Sequence, residues 1–462
     1  MNLGMRNWLA RQVKPTSTLL VGRQMSTKPR TRIMPHVDRD VLDAIERGEI
    51  TAKKHPGKVS VGTSCLPEEL TQAIKKVVSD TAPKNLRGDA QLLRTNLRCR
   101  ALPAERADLQ AKIQAHISEG VYSGEISDVD DVIAASRRSP LRKVINQRIR
   151  SWFPIDYTTY VGKLYLIARM AAEYAVLNRI FAEIQLTCPQ FQPHSLYDFG
   201  SGVGTVSWIA RKYWAESLQE YFCVDSSGEM NELAKLLLKG GDETVPLPIS
   251  GLYYRQFLST TVSSKYSLVT CSYSLFELPS AEIRLKTLSK LWNKTEDFLV
   301  IVEPGTKAGF QLVNEARDFI IQSDSESEHS TGVHVHSPCP HEFDCPMLKL
   351  SQGLCSSRVS YLSPAIVTNA SYENEYFCYV VLRKGKREPS DNQWPRVVSH
   401  PAKRKKHTHC RLCTKDGQLT DMTFTKQKYG LTTYHCGRSL KLGDRLPAQL
   451  TETELNETDV DA

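Results

Sequence analysis

The sequence predicts an α/β protein with a Rossmann-like sheet, a helical region before the sheet and a cysteine-rich region after it. From Ser195 onward, short apolar segments alternate with helical ones, which is typical of strands and crossover helices in a parallel, doubly wound sheet. A glycine-rich loop, DFGSGVG at residues 198–204, closes the first of these strands and opens a helix. Cysteines at short spacings then follow between residues 339 and 413, beside proline and histidine.

The strands of the predicted sheet are short segments rich in β-branched and aromatic residues. They are residues 196–199, 221–225, 252–255, 266–270, 297–302 and 376–382. Residues 38–184 instead carry apolar side chains at helical spacing, and residues 164–184 predict a strong amphipathic helix. We therefore expect a helical region on the N-terminal side of the sheet.

Length and composition indicate several domains and an anionic partner. With 462 residues and 40% hydrophobic content, the chain can bury two or three cores. No apolar segment is long enough to cross a bilayer, so we expect no membrane insertion. The net charge of +9 favours a partner such as RNA. The predicted domains are a transit peptide at 1–30, a helical region at 31–185, a Rossmann-like domain at 186–385 with a cysteine-rich insertion at 332–358, a basic linker with a cysteine-containing C-terminal region at 386–450, and a disordered acidic tail at 451–462.

The N-terminal segment has the composition of a mitochondrial transit peptide. Asp38 is the first acidic residue, whereas the preceding segment is rich in cations, namely Arg6, Arg11, Lys14, Arg23, Lys28, Arg30 and Arg32. Such a segment is drawn inward by the membrane potential, and cleavage is expected near Met25. The alternative is a basic arm that binds nucleic acid. Import into the matrix would keep the twelve cysteines reduced, as thiols or ligands.

The glycine loop predicts a nucleotide-type cofactor site made by Asp198, Gly200, Gly202, Gly204 and Asp225. Glycines allow a sharp turn and a close approach of the backbone to a ligand, and Asp225 ends the next strand, where an acid can accept from ribose hydroxyls. The loop reads G-x-G-x-G after an acid rather than G-x-G-x-x-G. This form favours S-adenosylmethionine over a dinucleotide as the ligand. It therefore also favours a sheet of the class I methyltransferase type. The alternative is a fold that kept its shape and lost its ligand.

Catalytic residues are not evident at the position where a methyl acceptor would bind. The segment after the fourth predicted strand, residues 270–279, reads TCSYSLFELP. It contains neither an Asn/Asp-Pro-Pro-aromatic turn nor a Pro-Cys nucleophile. Cys271 is expected to be a buried thiol, and Glu277 either a base or a solvated or capping acid. Whether the chain is an enzyme is therefore left open.

The cysteines predict a metal or iron–sulfur site. Cys339, Cys345 and Cys355 lie close in sequence, and either Cys410 or Cys413 can complete a set of four thiolates. Four thiolates suit zinc or a 4Fe-4S cluster, and the loose spacing of the first three favours the cluster. The alternative, ordinary buried thiols, is the better interpretation for Cys188, Cys223, Cys378 and Cys436.

Several motifs resemble the mitochondrial Rsm-type small-subunit methyltransferase-like family. They are the glycine loop, C-P-H-x3-C at 339–345, W-P-R at 394–396, H-T-H-C-x-x-C at 407–413, C-G-R-S at 436–439 and G-D at 443–444. The resemblance covers roughly Trp152 to Pro447. It implies a matrix factor that binds the small ribosomal subunit during assembly, together with its rRNA, its proteins and other assembly factors.

The same resemblance implies an iron–sulfur cluster and a fold that holds S-adenosylmethionine with little or no catalysis. By position, the cluster ligands would be Cys339, Cys345, Cys355 and Cys413. The rival hypothesis is an active S-adenosylmethionine-dependent rRNA methyltransferase. A third is a zinc-stabilised RNA-binding protein with an empty Rossmann pocket.

A basic run is the candidate RNA contact. Lys403, Arg404, Lys405 and Lys406 stand together just before the last pair of cysteines. We expect them to contact phosphate groups, because cations clustered on a fixed element bind a polyanion better than a free tail does. The alternative is a solvated linker.

Overall fold

The computed structural model describes residues 31–102, 155–258, 264–328, 330–367, 369–389 and 391–454. The predicted transit peptide lies outside these residues. Within them the strands are β1 (Thr31–Val37), β2 (Thr63–Ser64), β3 (Ser195–Phe199), β4 (Glu220–Val224), β5 (Leu252–Arg255), β6 (Tyr266–Ser272), β7 (Thr295–Pro304), β8 (Val333–Ser337), β9 (Ser357–Ser363), β10 (Ser371–Lys384), β11 (Arg396–Val397), β12 (Ala402–Lys403), β13 (His407–Cys413), β14 (Leu419–Thr425) and β15 (Ala448–Glu454). The helices are α1 (Arg39–Glu46), α2 (Glu68–Val78), α3 (Pro83–Arg98), α4 (Thr159–Tyr165), α5 (Ala171–Thr187), α6 (Thr205–Trp214), α7 (Gly228–Leu238), α8 (Ala281–Lys294), α9 (Lys307–Ser325) and α10 (Lys426–Ser439), and a π-helical turn, Leu166–Met170, joins α4 to α5.

The chain divides into two compact units, and the division differs from the predicted one. The sheet unit comprises Val61–Ala316 and Arg358–Tyr379. The terminal unit comprises Met1–Ser60, Arg317–Ser357 and Val380–Ala462. The terminal unit is thus assembled from three separate parts of the chain, which no local sequence pattern could indicate.

The sheet unit contains the predicted Rossmann-like sheet, with strand order β2-β9-β10-β7-β6-β3-β4-β5. All six predicted strands are confirmed, and β3, β4, β5, β6 and β7 pair in parallel, as predicted. The sheet as a whole is mixed rather than purely parallel, because β8 joins the C-terminal part of β10 in antiparallel register. The chain order reverses between β3 and β6, and in such sheets ligands bind beyond the carboxyl ends of the strands at this reversal.

The two central strands explain why the sheet forms here. In β6 and β7, consecutive residues such as Leu268 and Val269, or Leu299, Val300 and Ile301, have no exposed surface. Continuous apolar runs of this kind are typical of parallel strands covered on both faces. They fix β3 and the glycine loop in the interior of the unit, next to β6.

The helix before the sheet is more deeply buried than its predicted amphipathic character indicated. In α5 and the π-helical turn, charged residues are buried together with the apolar ones, namely Arg169, Glu173, Arg179 and Glu183. Buried charges persist when they are paired. Arg179 donates to Glu183 at 2.8 Å, and Tyr379 donates to the same carboxylate at 2.9 Å.

The terminal unit has two small sheets where the sequence predicted a linker and a tail. β1 pairs antiparallel with β15, so Thr451–Glu454 belong to a strand rather than to the expected acidic tail. β11, β12 and β14 all pair with β13, so the expected basic linker contains strands. Helix α10 packs closely on β14, since a Cβ on Gly437 would lie 2.5 Å from the Phe424 ring. Apolar residues of these elements form a core of their own.

No helix among the described residues is long and apolar enough to cross a membrane.

Candidate functional site

The glycine loop is shaped by three residues with positive φ. Gly200, Gly202 and Gly204 have φ of 71°, 51° and 81°, a region that residues with a Cβ rarely adopt. The amides of Gly200 and Ser201 both donate to the Val224 carbonyl at the end of β4, at 2.7 and 3.1 Å. Gly204 then begins α6 as its N-cap residue. The loop therefore turns tightly at the carboxyl ends of β3 and β4, as predicted.

Gly200 and Gly202 meet different surroundings. A Cβ on Gly200 would lie 1.9 Å from the Ser274 hydroxyl, so the close approach of the loop to the segment after β6 requires glycine. A Cβ on Gly202 would contact only the Met230 side chain, at 3.6 Å, and the Gly200 carbonyl, at 4.0 Å. A Cβ at Gly202 would thus make only ordinary van der Waals contacts, whereas the Gly200 position is filled by protein.

Asp225 holds the loop from the end of β4. Its two carboxylate oxygens accept from the Gly202 amide and the Ser227 amide, each at 2.9 Å. Burial raises the pKa of Asp225 above its ordinary value, and these two amide hydrogen bonds oppose the increase. Each oxygen keeps a second lone pair. Asp225 can therefore order the loop and still accept from a ligand hydroxyl.

Asp198 occupies a different environment from the one expected of a cofactor ligand. It has no exposed surface, and Thr270 on β6 donates to it at 2.6 Å. Burial raises the pKa of Asp198 to about 7. Such a side chain suits positioning of the strand end below the loop better than direct contact with a cofactor.

Asp198→Asn is expected to remove part of the pH dependence of stability. Because the pKa of Asp198 is raised from 3.8 to about 7, its contribution is fully present below about pH 4 and is lost as the pH rises through 7. The difference corresponds to up to roughly 4 kcal/mol. Urea unfolding at pH 5 and pH 8 checks this: the wild-type midpoint should fall more than that of Asp198→Asn. An identical fall in both proteins would contradict the assignment.

On the acceptor side of the sheet unit, Glu277 is held in an ion pair. Arg100 donates to its two oxygens at 2.5 and 3.1 Å, and the Tyr157 hydroxyl donates at 3.0 Å. The sequence had predicted either a base or a solvated or capping acid. These three hydrogen bonds hold the carboxylate in place between Arg100 and Tyr157. The structure thus favours a structural role for Glu277.

A buried charge network, which the sequence analysis missed, lies at the ends of β6 and β7. Arg169 donates to Glu173 at 3.2 Å and to Glu375 at 2.9 Å, and its guanidinium stacks over the Tyr273 ring at 5.0 Å. Among the described residues, Tyr273 is the one non-glycine residue with positive φ, at 58°. The available signal was an Arg and a Glu four residues apart inside an otherwise apolar helix.

Beside this network is a cavity of about 20 Å³, enough for one ordered water. It is lined by Glu303, which follows the apolar part of β7, and by Arg169 and Tyr273. Glu303 accepts from the Leu275 amide at 2.8 Å, and burial raises its pKa to about 8. One oxygen of Glu303, one nitrogen of Arg169 and the Tyr273 hydroxyl are buried without a hydrogen-bond partner among the described residues. A space of this size does not admit a nucleobase.

The cysteine region of the terminal unit is organised by Arg317. This buried side chain donates to the main-chain carbonyls of His341 and Phe343, at 3.0 and 2.8 Å, and so fixes the segment between Cys339 and Cys345. The guanidinium of Arg317 also interacts electrostatically with both of these thiols. A fixed positive charge of this kind stabilises thiolates.

Cys413 lies in the same region of the terminal unit as Cys339, Cys345 and Arg317. It interacts electrostatically with Cys339 and Cys345, and His341 Nε2 lies 3.3 Å from its sulfur. Burial and the neighbouring thiols raise the pKa of Cys345 to about 12 and that of Cys413 further. Cys410 packs instead into the apolar core of the terminal unit, because residues three apart on a strand face opposite sides.

The predicted metal site is not confirmed by this geometry. Among the described residues, no group of three or more His, Cys, Asp or Glu side chains is arranged to hold a metal ion. Cys355 is half-buried in the segment before β9. The structure therefore brings three of the four predicted ligands into one neighbourhood without forming a coordination sphere.

The predicted RNA-binding residues form the tip of a hairpin. Lys403 ends β12 and pairs with Thr408 of β13, while the Arg404 amide donates to the His407 carbonyl at 2.9 Å. Arg404, Lys405 and Lys406 are thus the exposed turn between two strands.

The strand order and the glycine loop together define a methyltransferase-like protein of the α/β class. Residues 159–447, more than half of the chain, match the family described as mitochondrial small ribosomal subunit Rsm22. The chain belongs to this family, as the motifs had indicated.

Two curated relatives and one solved structure illustrate the similarity. The human "Ribosome assembly protein METTL17, mitochondrial" is 34% identical over 397 residues, which cover 86% of this chain and 85% of that protein. "Rsm22-cox11 tandem protein 2, mitochondrial" of Schizosaccharomyces pombe is 29% identical over 40% of this chain and 29% of its own length. A SAM-dependent methyltransferase from Aquifex aeolicus is 11% identical, with a TM-score of 0.31, over 49% of this chain and 99% of that one.

Proposed function

We propose that this protein is an assembly factor of the mitochondrial small ribosomal subunit that acts in the matrix and binds the maturing rRNA. The observation that carries this proposal is the 34% identity to a human protein named as a ribosome assembly protein, over most of both chains. The partners would be the small subunit, its rRNA and proteins, and other assembly factors. The hairpin turn with Lys403, Arg404, Lys405 and Lys406 is the proposed contact with phosphate groups.

We propose that the glycine loop and Asp225 hold S-adenosylmethionine as a bound ligand. A Cβ at Gly202 would meet no clash, and Asp225 at the end of β4 keeps lone pairs for ribose hydroxyls. When bound, the cofactor would supply a transferable methyl group. The described residues on the acceptor side do not favour such a transfer, because Glu277 is held by Arg100 and Tyr157 and the neighbouring cavity is about 20 Å³. We therefore propose little or no catalysis.

A 4Fe-4S cluster is proposed to complete the terminal unit, with zinc as the alternative metal. The donor set fits either group, since the thiols of Cys339, Cys345 and Cys413 interact with one another beside the cationic Arg317. Cys355 is the proposed fourth ligand. Bound metal would cross-link two of the three chain segments of the terminal unit, so its binding energy would act as folding energy.

The rival proposal is an active rRNA methyltransferase. It is favoured by the intact geometry of the glycine loop, with three glycines at positive φ. The contacts of Glu277 and the small cavity on the acceptor side instead favour the assembly-factor proposal.

Sedimentation of matrix extract tests the proposed function. The protein should migrate with small-subunit precursors, and its depletion should reduce mature small subunits while large subunits persist. Recovery only at the top of the gradient, with normal small subunits after depletion, would refute the proposal.

A further inference from the structure

Cations from three separate segments of the terminal unit converge on the hairpin. Lys403 interacts electrostatically with Lys58, Lys441 and Arg438, which come from the segment after α1, the segment after α10 and α10 itself. Partial burial, and to a smaller extent the neighbouring like charges, lower the pKa of Lys403. Bringing like charges together costs electrostatic free energy. A bound anionic partner would offset this repulsion.

A second group of cations extends this surface along α10. His435 interacts electrostatically with Lys53, Lys426 and Arg438. Lys426 and Arg438 each lie 5.8 Å from the centre of the buried Tyr434 ring. Arg438 therefore belongs to both groups and connects them into one surface.

Arg438 also fixes the shape of the hairpin turn. One guanidinium nitrogen donates to the Arg404 carbonyl at 2.6 Å and lies 3.5 Å from the His407 carbonyl and 3.4 Å from the Thr408 hydroxyl. Lys58 is oriented as well, because its ammonium group donates to the Lys53 carbonyl at 2.9 Å. The turn backbone and the Lys58 ammonium group are thus held in place by the fold before a partner arrives, which reduces the entropy cost of binding.

We propose that these cations form a single preorganised surface, the basic belt, which binds the phosphodiester backbone of RNA without reading its bases. The belt consists of Lys53, Lys58, Lys403, Arg404, Lys405, Lys406, Lys426 and Lys441. Arg438 is a positioning residue that holds the turn. The inference rests on the proposed function for the identity of the polyanion and extends it to cations that flank the hairpin.

RNA is the partner that this geometry favours over an acidic protein segment. The belt presents ammonium groups from several directions, and point charges of this kind suit regularly spaced phosphates. Contacts with the RNA backbone are dominated by charge. The affinity for RNA should therefore fall steeply as the salt concentration rises, with a slope set by the number of phosphates neutralised.

Binding of a fluorescent 20-nucleotide poly(U) RNA to the full chain between 50 and 300 mM KCl tests the belt. Lys58→Gln/Lys441→Gln should weaken binding at least tenfold at low salt and flatten the slope of log K against log salt by about 1.4, since two phosphate contacts are lost. Lys53→Gln/Lys426→Gln should act similarly. The control, Lys290→Gln/Lys307→Gln in the sheet unit, should bind like the wild type. Wild-type affinity and slope in both belt variants would overturn the proposal.

Arg438→Lys separates positioning from charge. This variant keeps the cation but lacks the nitrogen geometry that braces the turn, so affinity should fall several-fold with an unchanged salt slope. A fall in slope, or no change in affinity, would remove the positioning role. Poly-glutamate that competes as well as RNA would overturn the choice of partner. Loss of the wild-type protein from small-subunit fractions would instead refute the proposed function and leave the RNA measurement intact.

Discussion

Arg169→Met is expected to lower the free energy of unfolding by about 3–5 kcal/mol, the typical cost of removing one partner from a buried ion pair. Arg169 lies between Glu173 and Glu375 inside the sheet unit, and all three side chains are buried. Without the guanidinium, two carboxyl groups would remain in an apolar environment next to each other. Urea unfolding followed by circular dichroism measures the loss.

The pH dependence of this loss identifies its cause. In the wild type, burial already raises the pKa of Glu173, and Arg169 opposes the increase. Without Arg169 the pKa of Glu173 should rise further. The carboxyl group of Glu173 is then neutral at low pH, and stability is lost as the pH rises through its folded pKa. We therefore expect a larger loss at pH 8 than at pH 5.

Two further variants serve as controls for the network. Arg358→Met removes an exposed arginine of β9 in the same unit and should change stability by less than about 0.5 kcal/mol. The triple variant Arg169→Met/Glu173→Gln/Glu375→Gln should recover much of the lost stability, since it leaves no unpaired charge. A loss in Arg169→Met no greater than in Arg358→Met would show that the network contributes nothing.

Cys413→Ala should abolish metal binding, whereas Cys410→Ala should not. Cys413 interacts with Cys339 and Cys345, while Cys410 contacts the Gly437 carbonyl in the apolar core, with its sulfur 3.9 Å from that oxygen. Protein purified without oxygen should contain about four iron atoms per wild-type chain if the 4Fe-4S proposal holds. Cys413→Ala should contain almost none and should become protease-sensitive between Trp394 and Pro447.

The matched Cys410 variant makes this comparison decisive. Both substitutions remove a buried sulfur from the same strand, so loss of packing alone would affect them similarly. Full iron content in Cys413→Ala would remove this residue from the ligand set. One zinc per chain in place of iron would support the alternative metal with the same ligands.

The sheet could be predicted from sequence because its signals are local. Runs such as residues 297–302 are apolar without alternation, and glycines at 200, 202 and 204 mark a turn with positive φ. The two-unit division was not predictable in this way. β1 and β15 pair although they are more than 400 residues apart, and nothing in either segment alone specifies its partner.

The candidate site could be predicted only in part, because only some of its residues are marked by local sequence signals. The loop and Asp225 follow from spacing along one chain segment, and so does the hairpin as a basic run. The contacts of Arg169 with Glu375, of Arg317 with the His341 carbonyl and of Arg438 with the hairpin turn join distant segments. A lone arginine in a helix gives no indication of which distant group it will meet.

The proposal that this protein supports small-subunit assembly without methyl transfer is tested most directly by replacing the endogenous protein with the Gly202→Gln variant. The Cβ of the new side chain would make only ordinary van der Waals contacts, at a cost of about 1–2 kcal/mol for its φ, whereas a substitution at Gly200 would collide with Ser274. The measurement is the yield of mature small subunits together with the map of methylated nucleotides in their rRNA. We expect a near-normal yield of small subunits and an unchanged map of methylated nucleotides. Reduced yield together with loss of one rRNA methyl group would contradict it and identify an active methyltransferase.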